Sequence, residues 1–345
     1  HPIQPKSYMS MNNFYTATVY EKGAEVIRMI HTLIGKEAYR KATDLYFERF
    51  DGQAVTTDDF LSVMSEASGV DLSQFKRWYD QSGTPKLIVE ENFYKGIYKI
   101  TLTQVIPHGV DGSEQKPYYF PLKVGLMGID GKEILEKVLV LSKESEEFVF
   151  EEVKSKPYLS VNRDFSAPVI IEQKETEYSF LMKHDTNSFV RYESAQSFAI
   201  ETLEEIMLDG YISSKFIKAY GYILGLDIDL SYKALLLELP SVSTLMQRQE
   251  EVDFEPIYFA KDRLEIELAQ TYKEELLELY NLNHVPRSQD IDSESMAKRS
   301  VKNRCLKLLS ALGSDDIIQI VNKQYKESLT MTDKIAALDI LENID

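Results

Sequence analysis

Along the first quarter of the chain, residues 13–83, apolar positions fall at helical spacing. Val19, Val26, Ile30 and Leu33 recur at steps of seven, four and three, which predicts one amphipathic helix. Gly35 predicts its end, residues 36–50 a second helix, and Asp51-Gly52 the stop behind it. Thr56, with Asp59 three residues on, has the form of a capping box opening a third helix, and Asp71 predicts the cap of a fourth. Ser82-Gly83-Thr84-Pro85 ends the run, because proline pushes the residue before it out of the helical region.

From Lys86 to about Ile171 the period changes to two. Segments 86–90, 98–103, 118–126, 137–141, 148–150 and 169–171 predict short strands, β-branched or aromatic and parted by Gly, Asp and Pro. Asp130-Gly131 predicts a hairpin turn. Six or seven such strands predict an antiparallel β-sandwich. From about Glu172 helical spacing returns, with long helices expected over 189–208, 213–224, 254–280 and 293–312. No strict sequence repeat is visible there, so a tandem-repeat family is not expected. The fold class is therefore multidomain α+β: helical, then antiparallel β-sandwich, then an α-helical array.

Composition narrows the function. At roughly 150 residues per domain, 345 residues suggest about two or three domains. A hydrophobic share of 43% excludes wholesale disorder. The net charge of −17 would repel a phosphate backbone, so no nucleic-acid partner is expected. No apolar run approaches the roughly 18 residues of a membrane span, so no membrane partner is expected either. One cysteine, Cys305, allows neither an internal disulfide nor a thiolate cluster and fits a reducing, cytoplasmic setting. The chain opens His1-Pro2-Ile3 and closes inside an apolar-periodic stretch, Ile340 to Asp345. Both ends read as cut, so a piece of a longer protein is expected.

Common catalytic motifs are missing. The five histidines are far apart, and none forms the His-Glu-x-x-His that sets two imidazoles on one helix face for zinc. GxxxxGK[ST], GxGxxG and GxSxG do not occur. His31 is expected to be a stacked or satisfied histidine, and Trp78 a packing anchor near the domain boundary. Cys305, in the stripe Val301, Cys305, Leu308, Leu309, is expected to be a buried structural thiol. The acidic cluster Glu144 to Glu147 is expected to be a solvated turn.

One segment is specific. Residues 12–27 read Asn-Asn-Phe-Tyr-Thr-Ala-Thr-Val-Tyr-Glu-Lys-Gly-Ala-Glu-Val-Ile, and this resembles the tyrosine motif of the zinc aminopeptidase N family, gluzincin type. Val26 to Leu33, Leu45 to Arg49, Phe75 to Pro85 and Ala297 to Leu306 resemble the bacterial, alanyl aminopeptidase branch of that family, in order along the chain.

The resemblance implies that residues 1–85 are the helical half of a thermolysin-like catalytic domain, 86–172 an Ig-like β-sandwich, and 173–345 the first part of a superhelical C-terminal domain. It implies a parent enzyme that uses zinc to release N-terminal residues from peptide substrates. The family's zinc motif and its amine-binding Gly-x-Met-Glu-Asn loop are not in this chain. Zinc is thus expected in the full-length enzyme and not bound by this chain, which alone is expected to be inactive and to partner the N-terminal part of the same polypeptide. By the same resemblance Tyr20 matches the catalytic tyrosine, a phenol that donates to the oxyanion formed as water attacks the peptide carbonyl. Asn12 and Tyr15 match residues lining the pocket for the substrate's first side chain. Tyr15 precedes Tyr20 by five residues, about 500° of helix, so in one helix the rings would be offset by about 140°. Tyr15 is therefore expected at the helix mouth, or the helix starts after it. The alternative is a non-catalytic interaction module of the same domain order, in which Tyr20 would have no need of its motif.

Overall fold

The computed structural model describes residues 1–173, 176–285 and 287–343. It divides into two compact units, residues 1–177 with 184–190, and residues 178–183 with 191–345.

In the first unit a wide π-type turn, Thr18–Lys22, leads into α1, Gly23–Ile34. Gly35 ends α1 at φ +80°, a conformation that favours glycine, and its N–H donates to the His31 carbonyl. Then follow α2, Lys36–Phe50, and α3, Thr57–Ser68. The capping box is real: the Asp59 carboxylate accepts the Thr56 N–H at 2.8 Å, and the Asp59 N–H donates back to Thr56 Oγ1. Asp71 caps less than expected. Its carboxylate accepts the Ser73 N–H, but only a 3-10 turn and one helical turn follow, α4, Arg77–Asp80.

The sandwich strands are β1 Lys86–Tyr94, β2 Ile97–Val105, β3 Phe120–Met127, β4 Glu133–Leu141, β5 Ser145–Phe150, β6 Tyr158–Val161 and β7 Ile170–Gln173. Among the described residues they form one sheet of order β5-β2-β1-β7 and another of order β4-β3-β6. Lys95 and Gly96, both at positive φ, join β1 to β2, as a two-residue hairpin requires. Asp130-Gly131 turns β3 into β4 as the sequence predicts. Two features differ from expectation. β6 was not foreseen, and β7 runs parallel to β1, with Lys86 opposite Ile170, in a sandwich whose other pairings are antiparallel. The cluster expected as a solvated turn is also partly ordered: Glu146 accepts the Ser142 and Lys143 N–H groups, and Glu147 pairs across β5–β2 with Lys99.

Alternation sends Leu87 and Val89, Tyr98, Ile100 and Leu102, and Phe120, Leu122 and Val124 inward. Val26 and Ile30 of α1, with Phe75 and Trp78, join that same core. Each fully buried side chain of this size contributes about 1.5–3 kcal/mol. His31 packs against Tyr39 edge-on, with ring planes 70° apart, rather than stacked face to face.

The helices that follow are α5 Tyr178–His184, α6 Ser188–Asp209, α7 Ser214–Leu224, α8 Leu230–Leu236, α9 Val242–Met246, α10 Phe254–Thr271, α11 Lys273–Asn283, α12 Ser293–Ser310, α13 Asp315–Glu327 and α14 Met331–Leu341. The expected single helix over 254–280 is broken between α10 and α11. Tyr272 (φ −120°, ψ 28°) leaves the helix there, and its hydroxyl donates to the Ile217 carbonyl at 2.8 Å. In the second unit α12 packs against α8, α10, α11, α13 and α14. Its stripe Val301, Cys305, Leu308 and Leu309 is buried, and beside it the buried Lys302 pairs with Asp333 at 2.9 Å. Of the closing apolar-periodic stretch, residues 344 and 345 lie outside the described residues.

Candidate active-site tyrosine

The segment before α1 is built around Thr16. Its hydroxyl accepts the Val19 N–H at 3.3 Å, and its carbonyl accepts the N–H groups of Val19 and Tyr20. The hydroxyl also shares a 3.0 Å hydrogen bond with His1 Nε2. This side-chain acceptor satisfies a donor that a helix start leaves unpaired. The next turn is widened, with the Gly23 N–H donating to the Thr18 carbonyl five residues back. Single π turns of this kind cost more than α-helix and occur often at functional sites.

Tyr20 sits in the middle of that turn and is 58% exposed. Among the described residues its hydroxyl has no hydrogen-bond partner in the structure. Tyr15 lies before the helix, 59% exposed, and its ring stacks on Tyr20 with centroids 6.3 Å apart and planes 25° apart. Because the helix starts after Tyr15, the angular offset that would separate the two rings within one helix does not arise. Phe14 meets Tyr15 edge-on at 6.1 Å, and Tyr8 meets Phe14 at 5.8 Å, so four exposed rings touch in a row. Asn12 is exposed in the short turn Met11–Asn13. Among the described residues, no ring contact or hydrogen bond joins Asn12 to the Tyr15–Tyr20 pair.

Two cations fasten this segment and α1. Lys22 closes the π turn; its ammonium donates to the Gly83 carbonyl at 2.7 Å and lies 5.7 Å from the centre of the Trp78 ring. Burial lowers the pKa of this ammonium, since leaving water disfavours its charge. Two turns further on, Arg28 pairs with Glu25 at 2.6 Å and donates to the carbonyls of Asp164 and Phe165. Asn162, Asp164 and Phe165 all hold positive φ, which is strained for non-glycine residues. Trp78 is fully buried, its indole N–H donating to the Tyr119 carbonyl and its ring 4.4 Å from that of Tyr118. Neither Lys22 nor Arg28 carries a sequence signal of its own. Lys22 was visible only as a member of the motif, because its partners lie 61 and 56 residues away in the chain.

The remaining chemistry is sparse. Among the described residues no group of three or more His, Cys, Asp or Glu could hold a metal ion. Among them, too, no helix is long and apolar enough to cross a membrane.

Comparison with known proteins follows this layout. Residues 1–79 match the Peptidase family M1 domain. Residues 83–174 match a domain of unknown function (DUF3458) with an Ig-like fold, and residues 175–345 its companion (DUF3458_C), described as ARM repeats. The last description corrects the expectation that no tandem-repeat family applies: the sequence spacing alone does not reveal a repeat there. The chain is 38% identical to the aminopeptidase N of Escherichia coli over 98% of its own length and 41% of the relative's. It is 33% identical to the aminopeptidase N of Haemophilus influenzae over 99% of itself and 41% of that protein. The crystal structure of a Legionella pneumophila aminopeptidase A, in complex with aspartic acid, superposes with a TM-score of 0.89 at 27% identity, covering 100% of this chain and 42% of that one. The chain thus spans about two fifths of the length of the curated relatives it matches.

Proposed function

The chain belongs to the aminopeptidase N family, and we propose that it works as part of a zinc-dependent aminopeptidase that hydrolyses N-terminal residues from peptides. Tyr20 carries this reading: an exposed phenol held in a widened helix turn, with its hydroxyl not engaged by any described residue. A phenol in that state can donate to a developing oxyanion when a peptide carbonyl is attacked. Tyr15, stacked on it, offers an aromatic wall to the side chain of the substrate's first residue. Asn12 is assigned to that pocket on the sequence resemblance alone. In enzymes of this type zinc activates the attacking water. The chain spans about two fifths of the relatives' length, and we assign the metal ligands to the part it does not span, in keeping with the lack of a His-Glu-x-x-His in this sequence. A cytoplasmic setting accords with the buried, unpaired Cys305.

The test is Tyr20→Phe in the complete enzyme. The change removes one hydroxyl and little volume, so stability should shift by less than about 1.5 kcal/mol. The lost donor acts on the transition state, so kcat should fall about 10² to 10³ with KM nearly unchanged. Undiminished kcat with an unchanged Tm would overturn the assignment. This chain alone should release no N-terminal alanine from a reporter peptide. Zinc-dependent release by the pure chain would show that its own residues suffice.

A further inference from the structure

We infer that Lys22 is a positioning residue for Tyr20: reaching from the π turn across Trp78 to the Gly83 carbonyl, it holds the turn in the wide register that presents the phenol. This inference rests on the reading of Tyr20 given above.

A lysine that only needed solvation would leave its ammonium in water. Lys22 instead carries its charge into a half-buried place, where an aromatic face and a carbonyl replace water. Both partners are rigid. Gly83 is fixed at φ +80°, and a Cβ there would come within 2.6 Å of Pro107 Cγ. Beside it the Ser82 N–H donates to Gln115 Oε1 at 2.8 Å, while the Gln115 amide donates to the Ser82 carbonyl at 2.9 Å. The Trp78 indole is held by the Tyr119 carbonyl at 2.9 Å. With the junction locked, the pull of the tether falls on the turn.

The turn is the part able to yield. At its start Thr16 caps the Val19 N–H, and at its end Lys22 is anchored, with Tyr20 between them. A π turn relaxes to α by losing one residue of register, and in an α-helix one residue is about 100° of rotation. Such a slip would swing the phenol away from a carbonyl that must lie within hydrogen-bond reach. Misplacement of a reacting group by about 1 Å can lower a rate about a hundredfold.

The experiment is a double-mutant cycle in the complete enzyme, reading kcat and KM for an alanine reporter peptide. Lys22→Met keeps the stem and removes the charge and donor. It should lower kcat about ten- to a hundredfold with KM changed less than about threefold. In a Tyr20→Phe background the same change should lower kcat by less than about threefold further, because the group it positions is gone. Equal losses in both backgrounds would mean general damage and would overturn the inference, as would undiminished kcat in Lys22→Met with Tyr20 intact. Should Lys22→Met not fold, the cycle is read on Lys22→Gln, which keeps a shorter donor. The function reading fails separately, through undiminished kcat in Tyr20→Phe alone.

Discussion

Alanine at Gly125 should destabilise the first unit far more than a single methyl suggests. Gly125 lies in β3, opposite Glu136 of β4 and Ser160 of β6, and a Cβ there would overlap the Arg163 guanidinium. That guanidinium cannot simply swing aside. Arg163 has 1% of its side chain exposed, and its Nη1 donates to Glu133 at 2.5 Å and Glu136 at 2.9 Å. Its Nη2 reaches Asp185 at 3.2 Å and its Nε donates to Ser160 Oγ at 2.8 Å. Breaking a buried ion pair costs about 3–5 kcal/mol. Glu133 and Glu136 are about a third exposed and regain water, whereas Asp185 is fully buried, so the low end, about 3 kcal/mol, applies. For a unit of this size each kcal/mol shifts Tm by about 2–4 °C, so the loss should be about 6–12 °C. Trp78, the single tryptophan, is fully buried in the same core, so its fluorescence follows this unit selectively. Arg163→Met removes the obstacle, and in that background Gly125→Ala should cost less than about 1 kcal/mol. A loss of less than about 2 °C for Gly125→Ala alone would refute the steric reasoning.

The same site and the second unit give two further expectations. Hydrogen bonds from Arg163 and then Thr186 hold the Glu133 carboxyl below its ordinary value of 4.5. Its contribution to stability is therefore complete above that value and is lost as pH falls through the lower folded one. The Trp78-monitored Tm should drop on acidification below pH 4.5, less steeply in Arg163→Met, and equal slopes in both proteins would contradict the linkage. Burial pushes the Cys305 thiol up to about 12, so a maleimide at pH 8 should leave the native chain unlabelled and label it stoichiometrically in denaturant. Rapid native labelling would show that the α12 stripe opens.

What the sequence revealed was chiefly local. The stripe through Val26 and Ile30, the Gly35 stop, the Thr56–Asp59 capping box and the Asp130-Gly131 turn depend on residues close together in the chain, and all appear. What it concealed depends on distant partners. The break at Tyr272 follows from a hydroxyl bonded 55 residues away, and no Gly or Pro marks it. β6 exists through its pairing with β3, its four residues being too short to show a period. Near Tyr20 the motif named the tyrosine, and turn arithmetic left Tyr15 either at the helix mouth or before its start, of which the second is observed. The π turn and the Lys22 tether remained hidden, because a register widened by one residue leaves no pattern in side-chain spacing.

The parallel pairing of β1 with β7 has a mechanical meaning. These are the strands by which the chain enters and leaves the sandwich, and they lie side by side, Lys86–Val89 along Ile170–Gln173, with the Ile170 N–H reaching back to the Pro85 carbonyl. Tension along the polypeptide draws the start of β1 and the end of β7 in opposite directions on one axis. The ladder between them is then loaded in shear, with its hydrogen bonds sharing the force, whereas a hairpin pulled at its open end unzips one bond at a time. The sandwich is thus wired to resist being stretched between its flanking segments, and the clasp that resists is also the one that closes the domain.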